Sequence, residues 1–151
     1  MPKIEIETII QASPENVFRR AQEIERYPDF APELREVKVL SREGNVVRSR
    51  WVGIAEVGPL RREVTWEEID VWDEEKLECR FELMSGDMKS YAGVWKFERN
   101  ADGLTHCSLL IDYELGIPLL GQLLEKLIHE KVTEVAQAIL TAVKELAETQ
   151  G

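Results

Sequence analysis

Cysteine and histidine are scarce in this 151-residue chain, two of each, and the scarcity closes several classes of chemistry. Cys79 and Cys107 lie far apart with no neighbouring cysteine, so neither a zinc ribbon nor a Cys-x-x-Cys redox pair can be assembled from them. Both are expected as reduced thiols in the core. The two histidines show no metal-ligand spacing with these cysteines, so no metal and no cofactor is expected. Long apolar runs are also missing. No stretch approaches the ~20 residues of a membrane span, and Met1-Pro2-Lys3-Ile4-Glu5 turns acidic too early for a secretory segment, which points to a cytoplasmic chain without stable membrane insertion. Basic residues are in deficit, 19 Lys and Arg against 29 Asp and Glu, for a net charge of -10. Nucleic acid and anionic membrane surfaces would be repelled by that field and are not expected partners.

What is present is a globular mixture, 44% hydrophobic and 32% charged, at a length that suits one domain spanning residues 1–151. Lys3 to Ile10 alternate apolar and polar side chains, the period of a strand with one wet face. Ser13-Pro14 then reads as an N-cap followed by proline at the first helical position, with Val17, Phe18, Ala21 and Ile24 at helical spacing. Two prolines in Tyr27-Pro28-Asp29-Phe30-Ala31-Pro32 leave room for one helical turn at most. Six runs rich in β-branched and aromatic residues follow, near 34 to 43, 46 to 57, 60 to 72, 76 to 84, 89 to 99 and 104 to 115. The connections are short and carry turn residues such as Gly44-Asn45 and Asp102-Gly103, so neighbouring strands should pair in sequence order. A helix of about 30 residues, from Leu119 to about Glu148, closes the chain. It carries one apolar stripe through Leu124, Ile128, Val132, Val135, Ile139, Ala142, Val143 and Leu146 that must bury against the sheet.

This order resembles the helix-grip fold of the START-like superfamily (SRPBCC), in its polyketide cyclase/dehydrase and coenzyme-Q-binding branch. Ser13-Pro14-Glu15-Asn16-Val17-Phe18 looks like that family's start of the first helix, Gly93-Val94-Trp95-Lys96-Phe97 like its Gly-x-Trp-x-Phe strand, and Tyr27-Pro28-Asp29-Phe30 like its Tyr-Pro-x-Phe element. Asp112-Tyr113-Glu114-Leu115 stands before the long helix, as in the family. The resemblance implies an α+β fold in which a seven-stranded curved antiparallel sheet wraps the C-terminal helix, with two small helices after the first strand. It also implies a hollow between sheet and helix that holds a hydrophobic small molecule.

Alternation assigns the inward face. It turns Ser49, Trp51 and Gly53, then Val64 and Trp66, then Leu77, Cys79, Phe81 and Leu83 toward the helix. Tyr91, Gly93, Trp95 and Phe97, and Cys107, Leu109, Ile111, Tyr113 and Leu115, follow on the last two strands. Two explanations compete for these aromatics: they fill an ordinary core, or they wall a cavity that small inward residues (Ser49, Gly53, Ala55, Gly93) leave unfilled. On the second explanation the ligand-binding residues are Trp51, Val64, Trp66, Phe81, Tyr91, Trp95 and Tyr113 from the sheet, with Ile128, Val132 and Val135 from the helix. His106 and His129 fall off the inward positions and are expected in solvent. Strict alternation would also turn Arg62 and Glu68 inward; a β-bulge returning both to water is the expectation, since a buried charge needs a partner. The function that fits is binding or transport of a lipid, an isoprenoid or a polyketide-like aromatic. The alternatives are a cyclase or aromatase steering an intermediate through Tyr91, Tyr113, Arg62 or Glu68, and an adaptor docking another protein through Leu119, Leu120, Leu123 and Leu127; the chain is expected as a monomer or a homodimer.

Overall fold

Ser13 stands in extended geometry and its side chain accepts the Asn16 backbone N–H, with Pro14 in the first turn, so the first helix begins where the local chemistry predicts. The computed structural model describes residues 3–57, 59–115 and 122–150, without the side chains of 55, 57, 60, 62, 115, 122–125 and 150. β1 (Lys3–Ile10) leads into α1 (Pro14–Ala21) and a 3-10 helix (Ile24–Asp29). Then come β2 (Leu34–Glu43), β3 (Val46–Val57), β4 (Leu60–Asp73), β5 (Glu78–Gly86), β6 (Met88–Arg99) and β7 (Thr105–Leu115), and α2 (Gln122–Gln150) ends the chain.

The seven strands form one antiparallel sheet in the order β1-β7-β6-β5-β4-β3-β2, so every neighbour from β2 to β7 is also the next in sequence. This is the curved helix-grip sheet that the element order implied. β5 starts two residues later than the alternation suggested. Leu77, expected on its inward face, instead adopts φ 54°, a left-handed turn conformation, and its carbonyl accepts the Phe97 N–H.

α2 packs against α1, the 3-10 helix, β1 and β3. Its C-terminal end is pinned to the end of β1, where Lys144 Nζ donates to the Ile9 carbonyl at 2.9 Å and the Gln11 N–H donates to Glu148 Oε2 at 2.9 Å. Along this half of the helix Ala136, Ile139, Leu140, Ala142, Val143, Leu146 and Ala147 are buried, while Ile128, Val132 and Val135 nearer its start are only half-buried. Leu119, Leu120 and the side chains of Leu123 and Leu124 lie outside the described residues; Leu127 is exposed. Cys79 and Cys107 are buried and free, and burial pushes both thiols up.

Candidate functional site

The inward face of β4 carries Trp66, Glu68, Asp70 and Trp72 at successive alternate positions, and all four are buried. The expected return of Glu68 to water does not occur. A register shift is present between Glu67 and Glu68 in the β4–β5 ladder, but the extra residue belongs to β5: Glu67 faces Ser85 and Glu68 faces Leu83. A bulge on the neighbouring strand leaves the alternation of β4 intact, so Glu68 stays inside. The Arg62 side chain lies outside the described residues, and the partner Glu68 acquires is Asp70.

Glu68 is enclosed by Ser49 on β3 and Leu83 on β5, and Asp70 by Val47 and Phe81. Trp66 Nε1 donates to Glu68 Oε1 at 2.8 Å, and a hydrogen bond joins the two carboxyl groups. Burial, followed by the charge of Asp70, holds the Glu68 carboxyl well above the usual range; burial raises Asp70 as well, while its hydrogen bond from Glu68 works the other way. The pair therefore holds a proton to higher pH than free carboxyls do, with Glu68 the donor and Asp70 the acceptor. Tyr91 and Tyr27 face the same region, and burial pushes both phenols well up; the Tyr27 hydroxyl donates to the Ala21 carbonyl.

Around this pair the aromatics pack ring on ring. Trp51 stacks on its cross-strand partner Trp66 at 5.8 Å and 13°, Trp66 meets Tyr91 at 5.7 Å, and Tyr91 meets Phe81 at 5.3 Å. Gly53 and Gly93 do not leave open space, because neighbouring rings cover them: Trp66 lies over Gly53 and Phe81 over Gly93. What remains is a cavity of about 20 Å³ between sheet and α2, room for about one water molecule. Its wall contains Trp51, Phe81, Tyr91 and Trp95 of the residues assigned from sequence, and Ile139 from the helix stripe. Val64, Trp66, Tyr113, Ile128, Val132 and Val135 do not reach it. Asp70, Trp72, Tyr27, Ile24 and Leu109 do. Alternation continued two more steps from Glu68 would have found Asp70 and Trp72. Trp72 also borders a surface groove of about 910 Å³, which runs past Ser13, Asn16 and Phe18 of α1 and the turns at Gly44-Asn45 and Glu74-Glu75.

His129 is the other departure. Instead of standing in solvent it is half-buried and stacked on Tyr113 at 5.9 Å and 9°, its Nδ1 2.8 Å from the Tyr113 hydroxyl. Burial pushes that phenol up to about 12. His106 does lie near the surface, 3.2 Å from Glu7. Among the described residues no cluster of His, Cys, Asp and Glu could hold a metal ion, and no helix is long and apolar enough to cross a membrane.

Residues 10–140 match the family model described as polyketide cyclase / dehydrase and lipid transport. No curated protein matches the sequence. Among solved structures, TTHA0849 from Thermus thermophilus is 34% identical, with 99% of each chain covered and a TM-score of 0.90. The ZhuI aromatase/cyclase from Streptomyces sp. R1128 shares the fold at 16% identity, over 99% of this chain and 94% of that one, with a TM-score of 0.84. A START superfamily protein from Mycobacterium smegmatis shares it at 18% identity, over 95% and 98%, with a TM-score of 0.72. The matched span and the seven strands folded around one long helix agree, and the chain belongs to the polyketide cyclase/dehydrase and lipid transport family, with the helix-grip fold of the START-like superfamily.

Proposed function

We propose that this protein binds a hydrophobic small molecule, aromatic in at least part, in the interior between the sheet and α2. The observation that carries this reading is the Glu68–Asp70 pair facing a cavity walled by five aromatic rings of the sheet. A core selected only for stability gains nothing from two desolvated carboxyls, since well-packed apolar residues of similar volume would serve as well or better. Titratable groups with strongly displaced proton affinities concentrate where a ligand or a reaction needs them. The cavity in its closed form is too small for such a ligand, so binding requires rings to swing aside. The start of α2 is the place for that: Ile128, Val132 and Val135 are only half-buried, as are Val64, Leu83 and Tyr91 on the sheet.

The test is calorimetric titration with flat aromatics such as 2-methylnaphthalene, together with native mass spectrometry of the freshly purified protein. Saturable binding at one molecule per chain is expected; absence of binding, with no co-purifying mass, would refute the reading.

A second reading, ring closure on a polyketide-like substrate, is favoured by the same pair. A protonated carboxyl beside a carboxylate, with Tyr91 against it, offers a proton donor and an acceptor to an intramolecular aldol condensation, in which an enol carbon attacks a ketone and one water leaves. Incubation with a poly-β-ketone thioester should then yield cyclised product that Glu68→Gln abolishes without loss of binding. Product formed equally by the variant would remove this reading and leave the first.

A further inference from the structure

Among the buried side-chain polar atoms, Asp70 Oδ1 has no hydrogen-bond partner among the described residues outside the Glu68 carboxyl, and Trp72 Nε1 has none among them. Both residues are almost wholly buried, 3% and 4% exposed, and both line the cavity of about 20 Å³. They stand at alternate positions on one face of β4. Other buried donors of this region are engaged: Trp66 Nε1 donates to Glu68, Trp51 Nε1 to Ser49 Oγ at 2.9 Å, and the Tyr27 hydroxyl to Ala21. The Trp72 indole N–H is thus an unmet donor, while Asp70, which accepts the hydrogen bond from Glu68, keeps lone pairs that can accept a second; both residues wall one small space.

From this juxtaposition we propose that Asp70 and Trp72 form the polar end of the ligand site and take a hydroxyl group, phenolic or alcoholic, carried on an apolar body. The ligand O–H donates to Asp70 Oδ1 and its oxygen accepts from Trp72 Nε1. Several other polar groups satisfy one atom at the expense of the other. An ammonium has no lone pair for the indole, a ketone has no proton for the carboxylate, and a carboxylate would set a second negative charge beside Asp70. The size agrees, since the cavity admits one oxygen-sized group and no more. Glu68, holding its proton toward Asp70, keeps Asp70 an acceptor.

This inference rests on the ligand-binding reading above and adds the ligand's class. It is tested by calorimetric titration of the full chain with 2-naphthol and 2-methylnaphthalene, which share a shape and differ in a hydroxyl against a methyl. The parent chain should bind 2-naphthol ten- to a hundredfold more tightly, roughly what two buried hydrogen bonds confer. Trp72→Phe, which keeps a ring and removes only the donor, should cut that preference to roughly three- to tenfold, what the bond to Asp70 alone confers. Asp70→Leu, similar in volume and without the acceptor, should do the same; should it fail to fold, Trp72→Phe decides alone. Equal binding of the two probes by the parent, or a preference undiminished in Trp72→Phe, overturns the hydroxyl site and leaves ligand binding standing. Binding of neither probe overturns both.

Discussion

Phe81 and Gly93 face each other across the β5–β6 ladder, and a methyl group on Gly93 would come within 2.4 Å of the Phe81 ring and 2.2 Å of the Leu110 carbonyl oxygen. The missing side chain is what allows the ring to lie against the backbone of β6. From the sequence Gly93 reads as space left for a ligand, because alternation gives the direction of a side chain and not the reach of its neighbour's. The same limit applies to Trp95, which lines the cavity and also stacks on Phe97 at 6.0 Å and 2°. A residue in both roles should show both effects. Trp95→Leu and Phe81→Leu are each expected to cost about 2 to 4 kcal/mol in denaturant unfolding, as large-to-small core changes do, and to weaken binding of a bicyclic aromatic severalfold. A stability loss with unchanged affinity in both variants would mark these rings as plain core.

α2 shows how a correct pattern can still hide a gradient along an element. The stripe read from the sequence is the buried stripe of the helix, from Ile139 through Ala142 and Val143 to Leu146. Periodicity says which face turns inward, and nothing about how closely the opposing layer approaches. Here that approach is tight where Lys144 and Glu148 hold the helix to the end of β1, and loose near Ile128 and Val132. The two halves should therefore respond differently to truncation. Leu140→Ala, at a fully buried position, is expected to cost about 2 to 5 kcal/mol, whereas Val132→Ala at a half-buried one should cost under about 1 kcal/mol. Equal losses would mean that the helix is gripped evenly along its length, and would remove the start of α2 as the place where the interior opens.

At the scale of the whole molecule the buried acidic pair and the surface carboxylates place opposite demands on pH. Glu15 is held below the usual range by its hydrogen bonds from Arg99, and Glu23 by that from Arg20; what they contribute is present above about pH 4 and fades as the pH falls through their lowered values. Glu68 and Asp70 work in reverse. Their folded-state values are raised, so in the unfolded chain they ionise near pH 4 while the folded protein must keep a proton on the pair or desolvate a second charge. Stability associated with the pair is therefore full below about pH 4 and is lost as the pH climbs toward its raised values. The groups facing it offer little relief: Tyr27, Tyr91 and Cys79 are held neutral by burial, and among the described residues only Arg42 on β2 acts on Asp70 as a cation. Glu68→Gln keeps the shape and a donor toward Asp70 while removing one ionisation. Near pH 4 it should unfold at about the same urea concentration as the parent; by pH 8 it should be the more stable of the two and unfold at a higher urea concentration. Comparing the two proteins at each pH cancels the growing repulsion of a chain that carries a net charge of -10. A difference in stability that does not change between pH 4 and pH 8 would show that the Glu68 carboxyl titrates as it does in the unfolded chain, and that its position between sheet and helix confers no special proton affinity.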